Sequence, residues 1–491
     1  MSGSHSHKGV QSHNAEETPR VSDLWRLRND VCNVVAYMCS VEEGAFKVLA
    51  PLEVSIIPLF DGMHTFEDIK AAFFEIYNSP PNVQEEFSAS LDQIFEGLMS
   101  LDRFLSFEGG VSPSLHTPEQ LIPDFTEYHF PATRLERPLS VQIAYTNQCR
   151  CNCRYCYAER RSCKEAGLDQ WRTVFDELSK NEIFIADIAG GDILTRKDAF
   201  DILGEMVDRD FVFFLSTKCF ISKQDAERLA EMGIGRLDVP QYLKRRVQIS
   251  VDSADDDVAS FLVRHPHYLK QATETAKNLL RAGISPRIKC VLTSYNADAP
   301  EGIVRHFADV GVTDFCFINY IESYYCHTSL SLSAEQKLRI REMLEHLKSS
   351  FPTLNITLQD EIAADTPPMT PREQWDSRKS CSSGRTNIVI HPNGDVTLCD
   401  EIPHKDPFVV GNVFDQGVIN VWKSQTLLDF VYPEREKFAG TVCFDCPEFD
   451  ECIGQKGLKG YCYFDALFYY GSIYDAPPDC PRQDKPSPRR M

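Results

Sequence analysis

The sequence predicts an α/β fold organised around a parallel, barrel-like sheet. Between residues 139 and 319, near-continuous apolar runs alternate with amphipathic helical runs, giving six βα units. Apolar runs of this kind are typical of strands buried on both faces, and repeated βα units form a parallel sheet. A strand-containing stretch with three helical runs precedes this region, and a cysteine-rich stretch follows it. We therefore expect the functional site at the carboxyl ends of the central strands.

Composition indicates a globular, multidomain protein and excludes several classes. The 491 residues suffice for two to four domains, and a hydrophobic content of 43% is a globular value. Residues 1–20 lack the apolar core of a signal peptide and no run is long enough to span a membrane, so we expect a cytoplasmic protein without a membrane partner. In a reducing compartment, 18 cysteines favour metal binding over disulfides. The formal charge of −21 argues against nucleic acid as a partner.

The N-terminal part is predicted to be a flexible tail, residues 1–24, followed by a small winged-helix module, residues 25–108. In this module Asp61 and Gly62 end an apolar helix, and Thr65 with Asp68 matches a helix-capping box. The apolar face of a third helical run consists of Phe87, Leu91, Ile94, Phe95 and Leu98. Residues 109–137 contain many Gly and Pro residues and are predicted to be a linker.

The segment from Leu59 to Ile69 carries the pattern L-x-D-G-x-x-T-x-x-D-I. It resembles the PqqD-like recognition element of enzymes that act on RiPPs, which are ribosomally made, post-translationally modified peptides. In that family a leader peptide adds a strand to the small sheet, so the resemblance implies a peptide or small-protein substrate bound through its leader. A structural or dimerising domain is the alternative.

Cys149, Cys153 and Cys156 form the most informative motif, C-x3-C-x2-C, directly after an apolar strand. A [4Fe–4S] cluster normally takes four cysteine ligands, so three thiolates leave one iron open. An open iron can hold a small molecule by its amino and carboxylate groups. A zinc knuckle with Cys151 as the fourth ligand is the alternative.

The motif and its position resemble the radical S-adenosylmethionine (SAM) superfamily. The resemblance implies a partial (βα)6 TIM barrel over residues 138–322, SAM bound to the open iron, and a 5′-deoxyadenosyl radical that removes a hydrogen from the substrate. It also implies an external electron donor such as flavodoxin or ferredoxin. The SAM-binding residues that the resemblance assigns are Tyr155, Gly190, Gly191, Asp192, Ser250, Asp252 and Arg264.

The chain departs from the family pattern at three of its motifs. Asp192 stands where a Glu is usual, and His265 follows Arg264 where a Gly is usual. Ser216-Thr217-Lys218 stands where the family often has T-N-G.

The region of residues 376–484 follows a bridging region, residues 323–375, and precedes a short tail, residues 485–491. It starts with a predicted β-hairpin that turns at Asn393-Gly394 and lets Cys381 and Cys399 approach one site. Its cysteine array resembles the SPASM domain, which holds two auxiliary iron–sulfur clusters. The resemblance assigns Cys381, Cys399 and Cys462 to auxiliary cluster I, and Cys443, Cys446, Cys452 and Cys480 to auxiliary cluster II. Structural zinc is the alternative.

These resemblances imply a radical SAM enzyme that modifies a ribosomal peptide or small protein, with SAM and three iron–sulfur clusters, mostly [4Fe–4S]. Because auxiliary cluster I is assigned only three cysteines, its open iron could take a substrate thiolate. We therefore expect thioether cross-links, as made by maturases of sulfur-bridged peptides and of the quinohemoprotein amine dehydrogenase small subunit. Carbon–carbon cross-linking, epimerisation, formylglycine formation and a non-catalytic peptide-binding scaffold are the alternatives. Asp400 follows Cys399 directly and is the candidate base.

Overall fold

The computed structural model describes residues 17–30, 33–42, 44–107, 134–236, 244–326, 330–359, 370–376, 381–453 and 461–483. These residues belong to two compact units, the first ending at residue 130 and the second beginning at residue 131. Most of the predicted N-terminal tail, the predicted linker up to residue 133 and the predicted C-terminal tail lie outside the described residues. No described helix is long and apolar enough to cross a membrane.

The first unit contains strands and three helices, as the sequence predicts. Its strands are β1 (Arg20–Val21), β2 (Trp25–Asp30), β3 (Asn33–Met38), β4 (Phe46–Val48) and β5 (Leu105–Ser106). Its helices are α1 (Pro51–Ile56), α2 (Phe66–Ile76) and α3 (Pro81–Met99). The central strand β3 pairs antiparallel with β2 and β4, and the short β1 and β5 pair with each other.

The predicted cap of α2 is confirmed. Thr65 Oγ1 accepts a hydrogen bond from Asp68 N at 3.2 Å, and the Asp68 carboxylate accepts one from Thr65 N at 3.0 Å. The predicted apolar face of α3 is confirmed at Leu91 and Phe95, which are buried, but not at Phe87, which is 42% exposed.

The second unit contains the predicted alternation of strands and helices. Its strands are β6 (Ser140–Ala144), β7 (Ile185–Ala189), β8 (Phe214–Thr217), β9 (Arg246–Ser250), β10 (Arg287–Leu292), β11 (Asp314–Asn319), β12 (Asn355–Gln359), β13 (Asn387–Ile390), β14 (Asp395–Thr397) and β15 (Gly411–Asn412). The helices between the parallel strands are α4 (Leu168–Lys180), α5 (Ala199–Asp208), α6 (Lys223–Glu231), α7 (Asp256–Val263), α8 (Tyr268–Arg281), α9 (Pro300–Val310) and α10 (Ala334–Ser350). The later helices are α11 (Pro371–Asp376), α12 (Val413–Gln416), α13 (Val418–Trp422), α14 (Gln425–Val431), α15 (Phe449–Cys452) and α16 (Tyr463–Tyr470).

The parallel strands form two sheets that meet at one bridge. One sheet has the order β8-β9-β10-β11-β12, and the other has the order β7-β6-β13-β14-β15. An isolated parallel bridge between Ile185 and Val212 connects the sheets, and Ala186 N donates to Val212 O at 3.1 Å. The carboxyl ends of β6 to β11 therefore open on the same side, where the functional site is expected.

Two strands differ from the sequence-based expectation. β12 lies in the predicted bridging region and extends the sheet by pairing parallel with β11. β13, predicted as part of a separate C-terminal hairpin, pairs parallel with β6, with Asn387 opposite Ser140. Apolar periodicity predicts a strand but not its partner, so neither pairing follows from the local sequence. The end of the predicted linker is also bonded: Leu135 N donates to Arg385 O at 3.1 Å.

Candidate active site

A cavity of about 860 Å³ lies at the carboxyl ends of the parallel strands. Its wall is formed by the loop after β6, by the ends of β7, β8 and β9, by β10 and β11, and by the segment after β14. The predicted site residues in this wall are Cys149, Cys153, Tyr155, Cys156, Gly190, Gly191, Asp192, Ser250 and Asp400. The volume is in the range of about 300–1,000 Å³ that small-molecule sites occupy.

The loop after β6, residues 146–158, brings the three cysteines of the C-x3-C-x2-C motif to the cavity. The last turn of α7 holds this loop, since Asn152 N donates to Val263 O at 3.0 Å and Arg154 N donates to Leu262 O at 2.8 Å. Both contacts are made by backbone atoms.

The three thiols fit a cluster better than a single ion. Burial raises the pKa of Cys149, and the neighbouring Cys156 raises it further; burial also raises the pKa of Cys153 to about 12. Across the described residues, no three His, Cys, Asp or Glu side chains converge closely enough to hold one metal ion. A zinc knuckle requires four ligands on one ion, whereas in a cubane each thiolate binds a different iron.

Gly190 and Gly191 allow the end of β7 to pack directly on the loop after β6. A Cβ on Gly191 would lie 2.2 Å from Gln148 O, and Gly190 has a left-handed φ of +82°. Gly191 N donates to Thr146 O at 2.8 Å, and Asp192 N donates to Gln148 O at 2.8 Å. The glycines thus hold the beginning of the cysteine loop in place.

Asp192 is buried and already bonded by its own chain. Its Oδ2 accepts from Thr217 Oγ1 at 2.8 Å, Lys218 N at 2.8 Å and Cys219 N at 3.1 Å. Its Oδ1 accepts from Leu194 N at 3.2 Å. The carboxylate of Asp192, which the resemblance assigns to SAM binding, therefore connects the residue after β7 to the end of β8.

Asp252, which follows β9, is bonded in the same way. Its Oδ2 accepts from the Tyr155 hydroxyl and from Lys218 Nζ at 3.1 Å, and its Oδ1 accepts from Val291 N at 3.3 Å. Tyr155 thereby connects the cysteine loop to the strand ends. Ser250 contributes its carbonyl, which accepts from Lys218 Nζ at 3.1 Å.

Arg264 is placed away from the cavity. It is the left-handed C-cap of α7, with φ +52°, and it is exposed. Among the described residues that line the cavity Arg264 does not occur. The sequence motif places Arg264 near SAM, but the structure does not bring it into the wall of the cavity.

The cysteines assigned to auxiliary cluster I lie within electrostatic reach of one another. Burial raises the pKa of Cys399, and the nearby Cys381 contributes to the rise. Burial raises the pKa of Cys462 to about 12, and Cys381 contributes here as well. Cys399 follows the β13–β14 hairpin and Cys462 precedes α16, so the hairpin and α16 bring the three residues together.

The cysteines assigned to auxiliary cluster II form a second group. Burial raises the pKa of Cys443 to about 12, and the thiols of Cys480, Cys446 and Cys452 add to the rise. The thiols that influence Cys443 are thus the three other cysteines that the SPASM resemblance assigns to auxiliary cluster II.

Acidic side chains accompany the cysteines at the cavity. Burial raises the pKa of Asp400, while a hydrogen bond from Gln142 lowers it. Burial raises the pKa of Glu401 to about 8, and its Oε2 is buried without a hydrogen-bond partner among the described residues. Burial raises the pKa of Asp187 to about 7, against the opposing charge of Lys289.

Sequence reasoning missed three charged residues of the cavity wall: Lys218, Lys289 and Glu401. It also missed Asp187, whose pKa burial raises and the charge of Lys289 lowers. Asp187 was detectable, because it is the single charged residue of an otherwise apolar strand, whereas Lys289 shares β10 with Arg287. Lys218 was visible only as a departure from the family pattern.

Comparison with known protein families matches two segments of the chain. Residues 143–302 match the radical SAM superfamily. Residues 381–447 match the iron–sulfur cluster-binding SPASM domain. These segments contain, respectively, the cysteine loop with the ends of β6 to β10, and the β13–β14 hairpin with Cys381, Cys399, Cys443 and Cys446.

Similar proteins cover most of the chain. The subtilosin biosynthesis protein AlbA of Bacillus subtilis is 24% identical over 82% of this chain and 83% of its own length. The mycofactocin maturase MftC of Mycolicibacterium smegmatis is 26% identical over 70% of this chain and 83% of its own length. The structure of Streptococcus suis SuiB bound to SAM covers 94% of this chain and 100% of SuiB, with 17% identity and a TM-score of 0.63. The chain therefore contains a segment that matches the radical SAM superfamily and a segment that matches the SPASM domain, and it is an enzyme that uses SAM and [4Fe–4S] clusters.

Proposed function

We propose that this enzyme matures a ribosomally made peptide or small protein by forming thioether cross-links between a Cys sulfur and a carbon. The observation that carries the proposal is one cavity, lined both by the cysteine loop after β6 and by Asp400, the neighbour of Cys399. A substrate residue in this cavity would face the SAM site and auxiliary cluster I together.

The cofactors would be held by the residues described above. Cys149, Cys153 and Cys156 would hold the cluster that binds SAM, and the two C-terminal groups of cysteines would hold the auxiliary clusters. The SAM-bound cluster supplies a 5′-deoxyadenosyl radical when reduced by an external donor such as flavodoxin or ferredoxin. The protein positions the substrate and keeps water away from the radical.

Asp400 is the proposed base. A carbon radical that becomes bonded to sulfur must lose one electron and the thiol must lose one proton. Because burial raises the pKa of Asp400, its carboxylate is a better proton acceptor than an exposed aspartate. The adjacent auxiliary cluster I would take the electron.

The thioether product is favoured by the three-cysteine set of auxiliary cluster I, whose remaining position would suit a substrate thiolate. AlbA, a subtilosin biosynthesis protein, is among the relatives. Other relatives include PqqA peptide cyclases, so carbon–carbon cross-linking is the second candidate. Epimerisation and formylglycine formation are further alternatives.

The first unit, a proposed winged-helix module over residues 25–108, would bind the leader of the substrate. In its three-stranded sheet β2 and β4 each have one edge without a strand partner among the described residues. An extended peptide can pair with such an edge. SuiB has been crystallised with its precursor peptide SuiA, and its structure covers 94% of this chain.

The proposal is tested with anaerobically reconstituted enzyme, SAM, a reductant and candidate precursor peptides. Thioether formation removes two hydrogens from the peptide and protects one Cys from alkylation, both read by mass spectrometry. Carbon–carbon cross-linking gives the same mass but leaves the Cys reactive. A leaderless peptide should bind more weakly than the full precursor; equal affinity would contradict the role of the first unit. A scaffold protein would form no 5′-deoxyadenosine.

A further inference from the structure

Arg385, which lies between Cys381 and β13, is a buried cation that is only 7% exposed. Its Nη2 donates to Val431 O at 3.0 Å, and its guanidinium lies 5.3 Å from the ring centre of Tyr432. Its Nη1 is buried and has no hydrogen-bond partner among the described residues. In the same part of the chain, no carboxylate forms an ion pair with Arg385.

This lack of a counter-ion sets Arg385 apart from the other buried arginines. Within the described ranges these arginines each form an ion pair: Arg28 with Asp30, Arg245 with Asp210, and Arg287 with Asp314. A carboxylate offsets the cost of taking a guanidinium out of water. Arg385 instead has a like charge nearby, because its charge adds to the effect of burial in lowering the pKa of Arg134 to about 10.

Helix ends offset only part of these two charges. Val431 is the last residue of α14, and Trp422, whose carbonyl accepts from Arg134 Nη2, is the last residue of α13. The carbonyl end of a helix carries the equivalent of about half a negative charge. Capping therefore explains one hydrogen bond of Arg385 but leaves its Nη1 and much of its charge without a partner.

The cysteines assigned to auxiliary cluster I lie on the same side of this group. Arg385 and Cys381 both act on Tyr463, which directly follows Cys462: burial raises the pKa of Tyr463, the charge of Arg385 lowers it, and Cys381 raises it. A [4Fe–4S] cluster on three thiolates is an anion in both oxidation states, because the thiolates outweigh the positive iron–sulfide core. Such a cluster would supply the negative charge that Arg385 lacks.

We propose that Arg385 is the counter-ion of auxiliary cluster I and raises the reduction potential of that cluster. Reduction adds an electron to an anion, and a nearby cation stabilises the reduced form more than the oxidised form. Local charge and hydrogen bonds are among the factors that set the potentials of iron–sulfur clusters. Arg385 thereby makes auxiliary cluster I a better acceptor for the electron that bond formation releases. The inference rests on the proposed function for the assignment of this cluster, but not for the identity of the peptide.

The test is a redox titration of anaerobically reconstituted holoenzyme without peptide, followed by electron paramagnetic resonance. The signal of auxiliary cluster I is the one that disappears in the combined variant Cys381→Ala, Cys399→Ala and Cys462→Ala. At the midpoint potential of the parent, Arg385→Met and Arg385→Gln should each lower the ratio of reduced to oxidised cluster about tenfold. A unit charge about 10 Å away at an effective dielectric constant of about 20 has an effect of this size. For a one-electron couple, tenfold corresponds to about 59 mV.

The controls separate the charge of Arg385 from its shape. Arg385→Lys keeps the positive charge, so its ratio should stay within about threefold of the parent. Arg305→Met removes an exposed arginine of α9 that pairs with Glu301, and it should shift none of the clusters. The two other clusters of each Arg385 variant are internal references and should shift by less than about twofold.

Four results would overturn the proposal. They are an unchanged ratio in both uncharged variants, an equal fall in Arg385→Lys, an equal shift of all clusters, and a combined cysteine variant that loses no signal. Iron content covers the case in which a variant does not assemble. Loss of the cluster from the uncharged variants alone would support the role, whereas loss from Arg385→Lys as well would assign Arg385 to the structure around α14. Because no peptide is present, failure here is separable from failure of thioether formation.

Discussion

Replacing Gly191 with alanine should disable the site through a purely steric effect. The new Cβ would lie 2.2 Å from Gln148 O, whereas ordinary contact begins at 3.4 Å. One of the two backbone segments must therefore move by about 1.2 Å. The obstructing atoms belong to the backbone and cannot rotate away. The movement would stretch the hydrogen bonds from Gly191 N to Thr146 O and from Asp192 N to Gln148 O.

The expected magnitude follows from these contacts. Overpacking costs about 1–3 kcal/mol, and two weakened hydrogen bonds add about 1–2 kcal/mol, for a loss of about 2–5 kcal/mol. At about 2 °C for each kcal/mol in a large domain, Tm should fall by about 4–10 °C. Because the displaced backbone leads directly into Cys149, 5′-deoxyadenosine formation should fall by about 100-fold.

The assay combines thermal unfolding, iron content and 5′-deoxyadenosine formation. Gly204→Ala is the control, since its Cβ would meet only the Met232 side chain at 3.7 Å and alanine favours the interior of α5. That variant should be as stable as the parent or slightly more so. A Gly191→Ala enzyme with unchanged Tm and normal SAM cleavage would refute the steric argument.

Three further outcomes are expected. Replacing Cys149, Cys153 and Cys156 with Ala should remove about a third of the roughly 12 iron atoms of three clusters and abolish SAM cleavage; zinc in the parent protein would contradict this. Asp400→Asn should keep iron and 5′-deoxyadenosine formation but lower modified peptide by about 100-fold, as mass spectrometry would show; near-normal product would end the base role. Burial lowers the pKa of His391 from 6.5 to about 3. On acidification, the unfolded chain therefore protonates this imidazole at a higher pH than the folded protein does. Its contribution to stability is complete above about pH 6.5 and is lost by about 1.4 kcal/mol per pH unit towards pH 3. Urea unfolding at several pH values should show that the free energy of unfolding falls less steeply with acid in His391→Asn than in the parent. Equal slopes for the two proteins would refute this prediction.

Much of the central fold was predictable because local physics determines it. The runs that became β6 to β11 are mostly apolar, and the cap of α2 depends on Thr65 and Asp68, which lie three residues apart. The grouping of the C-terminal cysteines followed from a family resemblance and stays a prediction.

The contacts that cross the fold were not predictable. Asp192 and Asp252 both looked free to bind a ligand, but the donors that occupy them come from β8, the cysteine loop and β10. Arg264 matched a motif position, yet it is the exposed C-cap of α7 and is not among the described residues that line the cavity. The donors that reach a carboxylate are determined by the tertiary structure, which sequence periodicity and residue spacing do not predict.

The pairing of β13 with β6 has a consequence for the order of events during synthesis. Asn387 and Ser140, which share a side-chain hydrogen bond, are 247 residues apart in the chain. At a synthesis rate of about 5–20 residues per second, roughly 10–50 s pass between the synthesis of β6, which leads into the cysteine loop, and the synthesis of its partner β13. During that time its open edge is a template for aggregation. Iron delivery to Cys149, Cys153 and Cys156 must therefore reach an unfinished sheet or be delayed until the C-terminal hairpin emerges, and a chain shortened before residue 387 would not be a minimal SAM-cleaving unit.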